Sequence, residues 1–342
     1  MLKAYIRYGA VTTKVRAMYG RLLTPSDWTR LVGLKTLSDI SAYLRSTPAW
    51  GAAMTALPAG ELTPQVFFDV LNDGVKAEYE KLYHFGSDTD RRLLEYAVYR
   101  AEYHAILSAL VRLGSGGHSK LDLGAENAPL AEKSKMNLSF IQSSASFEEL
   151  LADTESTVYG DVLRRLPRGQ NGLPDFAGAS AVLENRYYSA TYDYLKEQGD
   201  EVSKKLQDRL GLEADLLNIC GVLRLHRSFP ASLPEMKDLL IPIRGQLADS
   251  LLNALIAAPD EAAALKLLQG TPWGKYFPPE GSPNLELLSE RAMEAFCRKL
   301  IVTGSVGAYF PQVYLTLREI ERAKLIRVIT AVYYGIDPAT VL

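Results

Sequence analysis

The sequence predicts an all-α protein of three similar helical bundles with no significant sheet. Three observations carry that reading. Several long stretches repeat apolar side chains at the spacing of one helical face. Two-residue alternation bounded by Asn-Gly or Asp-Gly turns is missing. Two short signatures recur three times each, in the same order, at a period of about 110 residues.

The helices are justified in chain order. "LTPQVFFDVLNDGVKAEYEKLY" (62–83) has a proline suited to a first turn and one face of Val66, Val70, Leu71, Val75, Tyr79 and Leu82. "DFAGASAVLENRYYSATYDYLKEQ" (175–198), "NLELLSERAMEAFCRKLI" (284–301) and "YLTLREIERAKLIRVITAVYYG" (314–335) behave the same way. In "GLEADLLNICGVLRLHRSF" (211–229), Leu212, Leu216, Ile219 and Leu223 form one buried stripe, and Asp215 falls on its edge. Gly- and Pro-rich loops are expected at 112–129, 166–176 and 271–284.

The first repeated signature is Thr, one or two residues, an aromatic, then Gly. It occurs as "TPAWG" ending at Gly51, "TVYG" (Thr157, Tyr159, Gly160) and "TPWG" (Thr271, Trp273, Gly274), each closing a short apolar helical run. The second is an acid followed by aliphatic or Cys side chains at +4, +5 and +8, found at Glu102, Asp215 and Glu321. Gly51 to Glu102, Gly160 to Asp215 and Gly274 to Glu321 are separations of 51, 55 and 47 residues. The chain therefore reads as three helical units, 1–125, 126–232 and 233–342, with the first helix open to packing against the C-terminal unit. Units this long do not fit repeats of about 33–34 residues such as tetratricopeptide or ankyrin.

Composition excludes several functions. Hydrophobic residues make up 47% and charged residues 23%, as in ordinary globular proteins. A formal charge of −2, from 38 Lys+Arg and 40 Asp+Glu, gives no general attraction to nucleic acid. Cys220 and Cys297 lie among apolar neighbours and read as buried free thiols of a reducing compartment. The N-terminus lacks the apolar core of a signal peptide, and no window approaches the roughly 18 apolar residues of a membrane span. A cytoplasmic protein is expected, one that could rest on a membrane complex.

Chemical motifs are scarce. His84, His104, His118 and His226 are scattered without metal-ligand spacing, and no CxxC is present, so no metal and no cofactor are expected. "GTPWGKY" (270–276) fails as a phosphate loop, because its glycines are too close and Tyr276 stands where Ser or Thr is required. "GSGG" (114–117) reads as a linker. Tyrosine is abundant, 19 against 10 Phe, and suits core edges with a minority at protein-binding surfaces.

Asp215 is the acid that asks for an explanation, since a carboxylate facing a core is costly unless paired. Recurrence in three units favours a structural role over a catalytic one. Pairing with backbone N–H groups at the Thr-aromatic-Gly corner of its own unit, or with an Arg, would satisfy it. The rival is an all-helical small-molecule enzyme using Glu213, Asp215 and His226, and a generic helical scaffold of another complex is a third option.

These residues resemble a known family. "GLEADLLNICGVLRLH" is similar to the acidic, Asn-bearing, Arg-ending helix motif of the C subunits of bacterial and archaeal V/A-type ATPases, the counterparts of the d subunit of eukaryotic V-ATPases. Glu213, Asp215, Asn218, Ile219, Leu223 and Arg224 match it. In the closing helix Glu319, Glu321, Arg327, Tyr334 and Gly335 stand at the family's positions. The first unit follows less faithfully, with Glu102 as the acid and Ala105 in place of Asn. The resemblance implies a funnel of three bundles in pseudo-threefold arrangement and no catalysis. It further implies a rotor adapter that joins central stalk subunits of D and F type to the membrane rotor ring. Such a protein would be peripheral on the cytoplasmic face of the membrane and transmit torque for proton or sodium transport.

Overall fold

A computed structural model describes the chain except residues 1, 59, 87–90, 92–93, 95–96, 117–130, 170, 199–200, 229–236, 238 and 279–283. The boundaries expected near 125 and 232, His118 and parts of two expected loops lie outside the described residues. The described residues are helical almost throughout, with one isolated antiparallel bridge between Arg168 and Pro174. The all-α expectation holds.

The chain divides into two compact units, one of Met1–Leu94 with Glu294–Leu342, the other of Glu95–Met293. In the first, α1 (Leu2–Tyr19) leads to α2 (Pro25–Gly33) and α3 (Leu37–Arg45). Both short helices start at a threonine whose hydroxyl accepts from the backbone N–H of the third helical residue. Thr24 caps α2 in a capping box with Asp27, and Thr36 caps α3. After the first corner come α4 (Gly51–Met54) and the long α5 (Pro64–Phe85). The buried face of α5 is Phe67, Val70, Leu71, Val75, Tyr79 and Leu82, so Phe67 takes the place expected of the half-buried Val66. The second unit holds α6 (Ala97–Gly114), α7 (Leu138–Ser143), α8 (Phe147–Thr154), α9 (Gly160–Arg165), α10 (Phe176–Gln198), α11 (Glu201–Ser228), α12 (Asp249–Ile256) and α13 (Glu261–Gln269). The division falls within α14 (Leu285–Thr303), after which α15 (Phe310–Tyr334) ends at Gly335, left-handed at φ 70°.

In the first unit α15 packs on α5, α1 and α3. Polar bonds also fasten the first helix to the loop just ahead of the chain's last long helix. Arg16 donates to the Gly304 carbonyl at 3.0 Å, and the Gly307 N–H donates to the Thr12 hydroxyl at 3.3 Å. In the second unit α6 packs on α7 and α10, α10 on α11, and α11 on α12 and α13. Leu212, Leu216, Ile219 and Leu223 are all buried, as the stripe in the sequence requires. Cys220 and Cys297 are buried thiols, neither of them in a disulfide.

Candidate functional site

The three Thr-aromatic-Gly corners have one geometry. The hydroxyls of Thr47, Thr157 and Thr271 each donate at 2.7 Å to a carbonyl three residues back, that of Leu44, Thr154 or Leu268. Each hydroxyl also accepts from the N–H of the corner aromatic, Trp50, Tyr159 or Trp273, at 3.3, 3.1 and 3.2 Å. The aromatic rings are buried. The glycine that follows leaves no room for a side chain. A Cβ on Gly51 would lie 2.7 Å from the Arg45 oxygen, on Gly160 2.7 Å from the Thr154 oxygen, and on Gly274 2.9 Å from the Leu268 oxygen, in each case the carbonyl six residues earlier. The hydroxyl reverses the chain at the end of one short helix, and the glycine lets the next helix start against it.

The three acids are almost wholly inside, with Glu102 3%, Asp215 0% and Glu321 4% exposed. Asp215 lies on α11, one turn after Gly211. Its Oδ2 accepts from the backbone N–H groups of Gln246 at 2.6 Å and Leu247 at 2.9 Å, and Gly245 N–H reaches both oxygens at 3.1 and 3.2 Å. These amides belong to the segment leading into α12. The corner of its own unit, 157–160, is not the partner, so that expectation is corrected. A buried carboxylate needs several donors close together, and three successive amides ahead of a helix start supply them. Asn218, one turn further on, pairs with Ile241 in both directions. Its amide donates to the Ile241 carbonyl at 3.0 Å, and its Oδ1 accepts from the Ile241 N–H at 2.8 Å.

Glu321 on α15 repeats the plan in the first unit. Leu23 N–H, just ahead of α2, donates at 2.8 Å, the Trp50 indole N–H at 2.9 Å, and Arg318 Nη1 at 2.5 Å. Arg318, 2% exposed, also donates to the Ala49 carbonyl at 2.5 Å and lies 3.5 Å from the centre of the Trp50 ring. Its Nε faces Glu78 Oε2 at 3.0 Å, and Glu78 accepts from the Tyr314 hydroxyl at 2.7 Å. Glu102 on α6 accepts from the Ser134 hydroxyl at 2.8 Å, with the Lys135 backbone N–H beside it, ahead of α7. In each case the acid of a long helix grips the segment that starts the next pair of short helices, and Glu321 grips the one at the chain's beginning.

Burial pushes all three carboxyls above the usual range. Against it pull the Gly245, Gln246 and Leu247 amides and the Arg244 charge at Asp215, Arg318 above all at Glu321, and Ser134 and Lys135 at Glu102. The remaining motif residues have other partners. Glu213 pairs with Arg209 at 3.1 Å and Arg224 with Glu286 at 2.6 Å in an exposed pair. Glu319 is half-buried on α15. Arg327 donates to the Val341 carbonyl at 2.9 Å.

The enzyme reading needs Glu213, Asp215 and His226 to converge, and the structure engages them separately. Glu213 meets an arginine, Asp215 meets three amides, and a ring nitrogen of His226 lies 2.8 Å from the Leu255 carbonyl oxygen. Among the described residues no group of three or more His, Cys, Asp or Glu is placed to hold a metal, and no helix is long and apolar enough to cross a membrane. Two contributors escaped the sequence reading. Arg318 had a signal, an arginine one turn before the acid in a helix otherwise apolar on that side. The amides of 245–247 had none.

Fold and site together define a helical scaffold protein whose buried acids join chain segments. Comparison with known proteins narrows this. The family model described as ATP synthase (C/AC39) subunit matches residues 11–342. The A-type ATP synthase C subunit of Pyrococcus abyssi is 24% identical over 98% of this chain and 89% of its own length. That of Thermococcus kodakarensis is 22% identical over 100% and 91%. That of Pyrococcus horikoshii is 31% identical over 38% of this chain and 34% of its own. The chain belongs to the ATP synthase (C/AC39) subunit family, and is a non-catalytic subunit of a rotary ATPase complex.

Proposed function

We propose that this protein is the rotor adapter of its complex. It links the central stalk, built of D- and F-type subunits, to the membrane rotor ring, and carries torque between ATP chemistry and proton or sodium movement. It sits peripherally on the cytoplasmic face of the membrane. The organisation belonging to this reading is three bundles, near 1–125, 126–232 and 233–342, in pseudo-threefold, funnel-shaped arrangement. The observation that carries the proposal is the match of residues 11–342 to the ATP synthase (C/AC39) subunit family.

The geometry supports it in two ways. The buried acids are occupied in holding backbone amides, which suits a part that transmits load and has no substrate to turn over. The corners recur with the same hydrogen bonds at Thr47, Thr157 and Thr271, as expected of three copies of one bundle. The experiment is co-purification: a tagged full-length chain expressed in its own cells should bring down stalk and ring subunits of the ATPase. Recovery of the chain without any other ATPase component would count against the proposal.

A further inference from the structure

A cavity of about 40 Å³ lies within the first unit, between the turn that follows α1, the first corner, α5 and α15. One water molecule needs roughly 10–15 Å³, so there is room for a somewhat larger group. The charged lining is uneven: Arg21, Lys81 and Arg318 are positive, and Glu78 is negative. Glu321 bonds Arg318 from outside the lining, which still leaves one positive charge in excess. Arg21 and Lys81 are exposed, and neither pairs with another described group.

Arg318 is buried, and its two terminal nitrogens are engaged by Glu321 and the Ala49 carbonyl. Its Nε–H is not engaged. Glu78 Oε2 lies 3.0 Å from Nε but out of line for a hydrogen bond, and this oxygen accepts from the Tyr314 hydroxyl at 2.7 Å. A residue that lines the cavity thus carries a buried donor with no acceptor, which is costly unless something meets it. A water molecule would meet the donor and leave the excess charge unbalanced. A carboxylate answers both, because its bond to a guanidinium is charge-assisted.

We propose that this cavity binds one carboxylate, with the Arg318 Nε–H as its buried donor and Arg21 and Lys81 as the charges that attract it. The carboxylate belongs either to a small free acid or to an acidic side chain of a partner chain. The site stands whether or not the protein carries torque. The test follows the Arg318 Nε–H resonance by NMR on the full-length chain, isotope-labelled on arginine. Sodium formate supplies a free carboxylate and N-acetylglutamate N-methylamide a side-chain one, both at constant ionic strength. The resonance should shift saturably with formate. Arg21→Gln combined with Lys81→Gln removes two charges and no bond, and should raise the formate midpoint at least about tenfold. A shift with both probes assigns the site to a partner's side chain, and a shift with formate alone assigns it to a free acid. No saturable shift with formate, as for a cavity that takes water only, would overturn the proposal. So would equal midpoints in the parent and the double variant.

Discussion

Gly211 on α11 and Gly245 in the segment before α12 touch backbone to backbone: a Cβ on Gly211 would lie 2.7 Å from the Gly245 Cα, and one on Gly245 2.6 Å from the Gly211 carbonyl carbon. This contact lets the Gly245, Gln246 and Leu247 amides reach Asp215 one turn along the helix. Gly211→Ala and Gly245→Ala should each destabilise the protein by about 1–3 kcal/mol, the cost of overpacking a close contact. Gly221→Ala, on the same helix with nothing within 4 Å, should stabilise by about 0.5–1 kcal/mol through helix propensity. Urea unfolding of the three variants checks the contrast.

Asp215→Ala strands three amides in a buried place and should cost about 1–3 kcal/mol. Asp215→Asn should not rescue it, because the new amide group would face N–H donors. His226→Ala loses only a half-buried contact and should be milder. Thermal melts of the three variants decide, and equal stability of Asp215→Ala and the parent would remove the structural role assigned here.

At the first corner, Arg318→Leu should cost about 3–5 kcal/mol, since it leaves Glu321 buried without its cation. The milder Trp50→Phe removes one donor to Glu321 and should cost about 1–3 kcal/mol. Denaturant midpoints give both values.

The acids separate in how they respond to pH. Burial raises Glu321, so relative to a non-titrating variant its contribution is full at acidic pH and falls as pH rises through its raised pKa. Burial also pushes Glu294 upward, but bonds and charge from Lys324 and Arg298 outweigh it and leave this carboxyl below the usual range. Its contribution is full at neutral pH and is lost as pH falls through the lowered value. The stability gap between parent and Glu321→Gln should therefore widen on acidification, and that between parent and Glu294→Gln should narrow. Unfolding at a series of pH values measures both slopes.

Much of this was legible in the sequence because it rests on side-chain pattern. The stripe of Leu212, Leu216, Ile219 and Leu223, the long helices and the three corners all depend on residue type at fixed spacing. What the acids hold was not legible. Their partners are backbone amides, which carry no residue signature, and Asp215 bonds the segment ahead of it in the chain where its own corner had been expected. Gly245 carries no local signal in the sequence, because the need for it comes from Gly211, 34 positions away. The Trp50–Arg318 stack joins residues from opposite ends of the sequence, so no local window contains it.

The central claim, that the protein couples stalk to ring, is tested most directly by deleting its gene and measuring ATP hydrolysis and ATP-driven ion uptake in membrane vesicles. The account predicts that the membrane ring persists and ATP is still hydrolysed by the soluble head, while ion uptake is lost and returns when the protein is added back. ATP-driven uptake at parental rates in the deletion strain would contradict it.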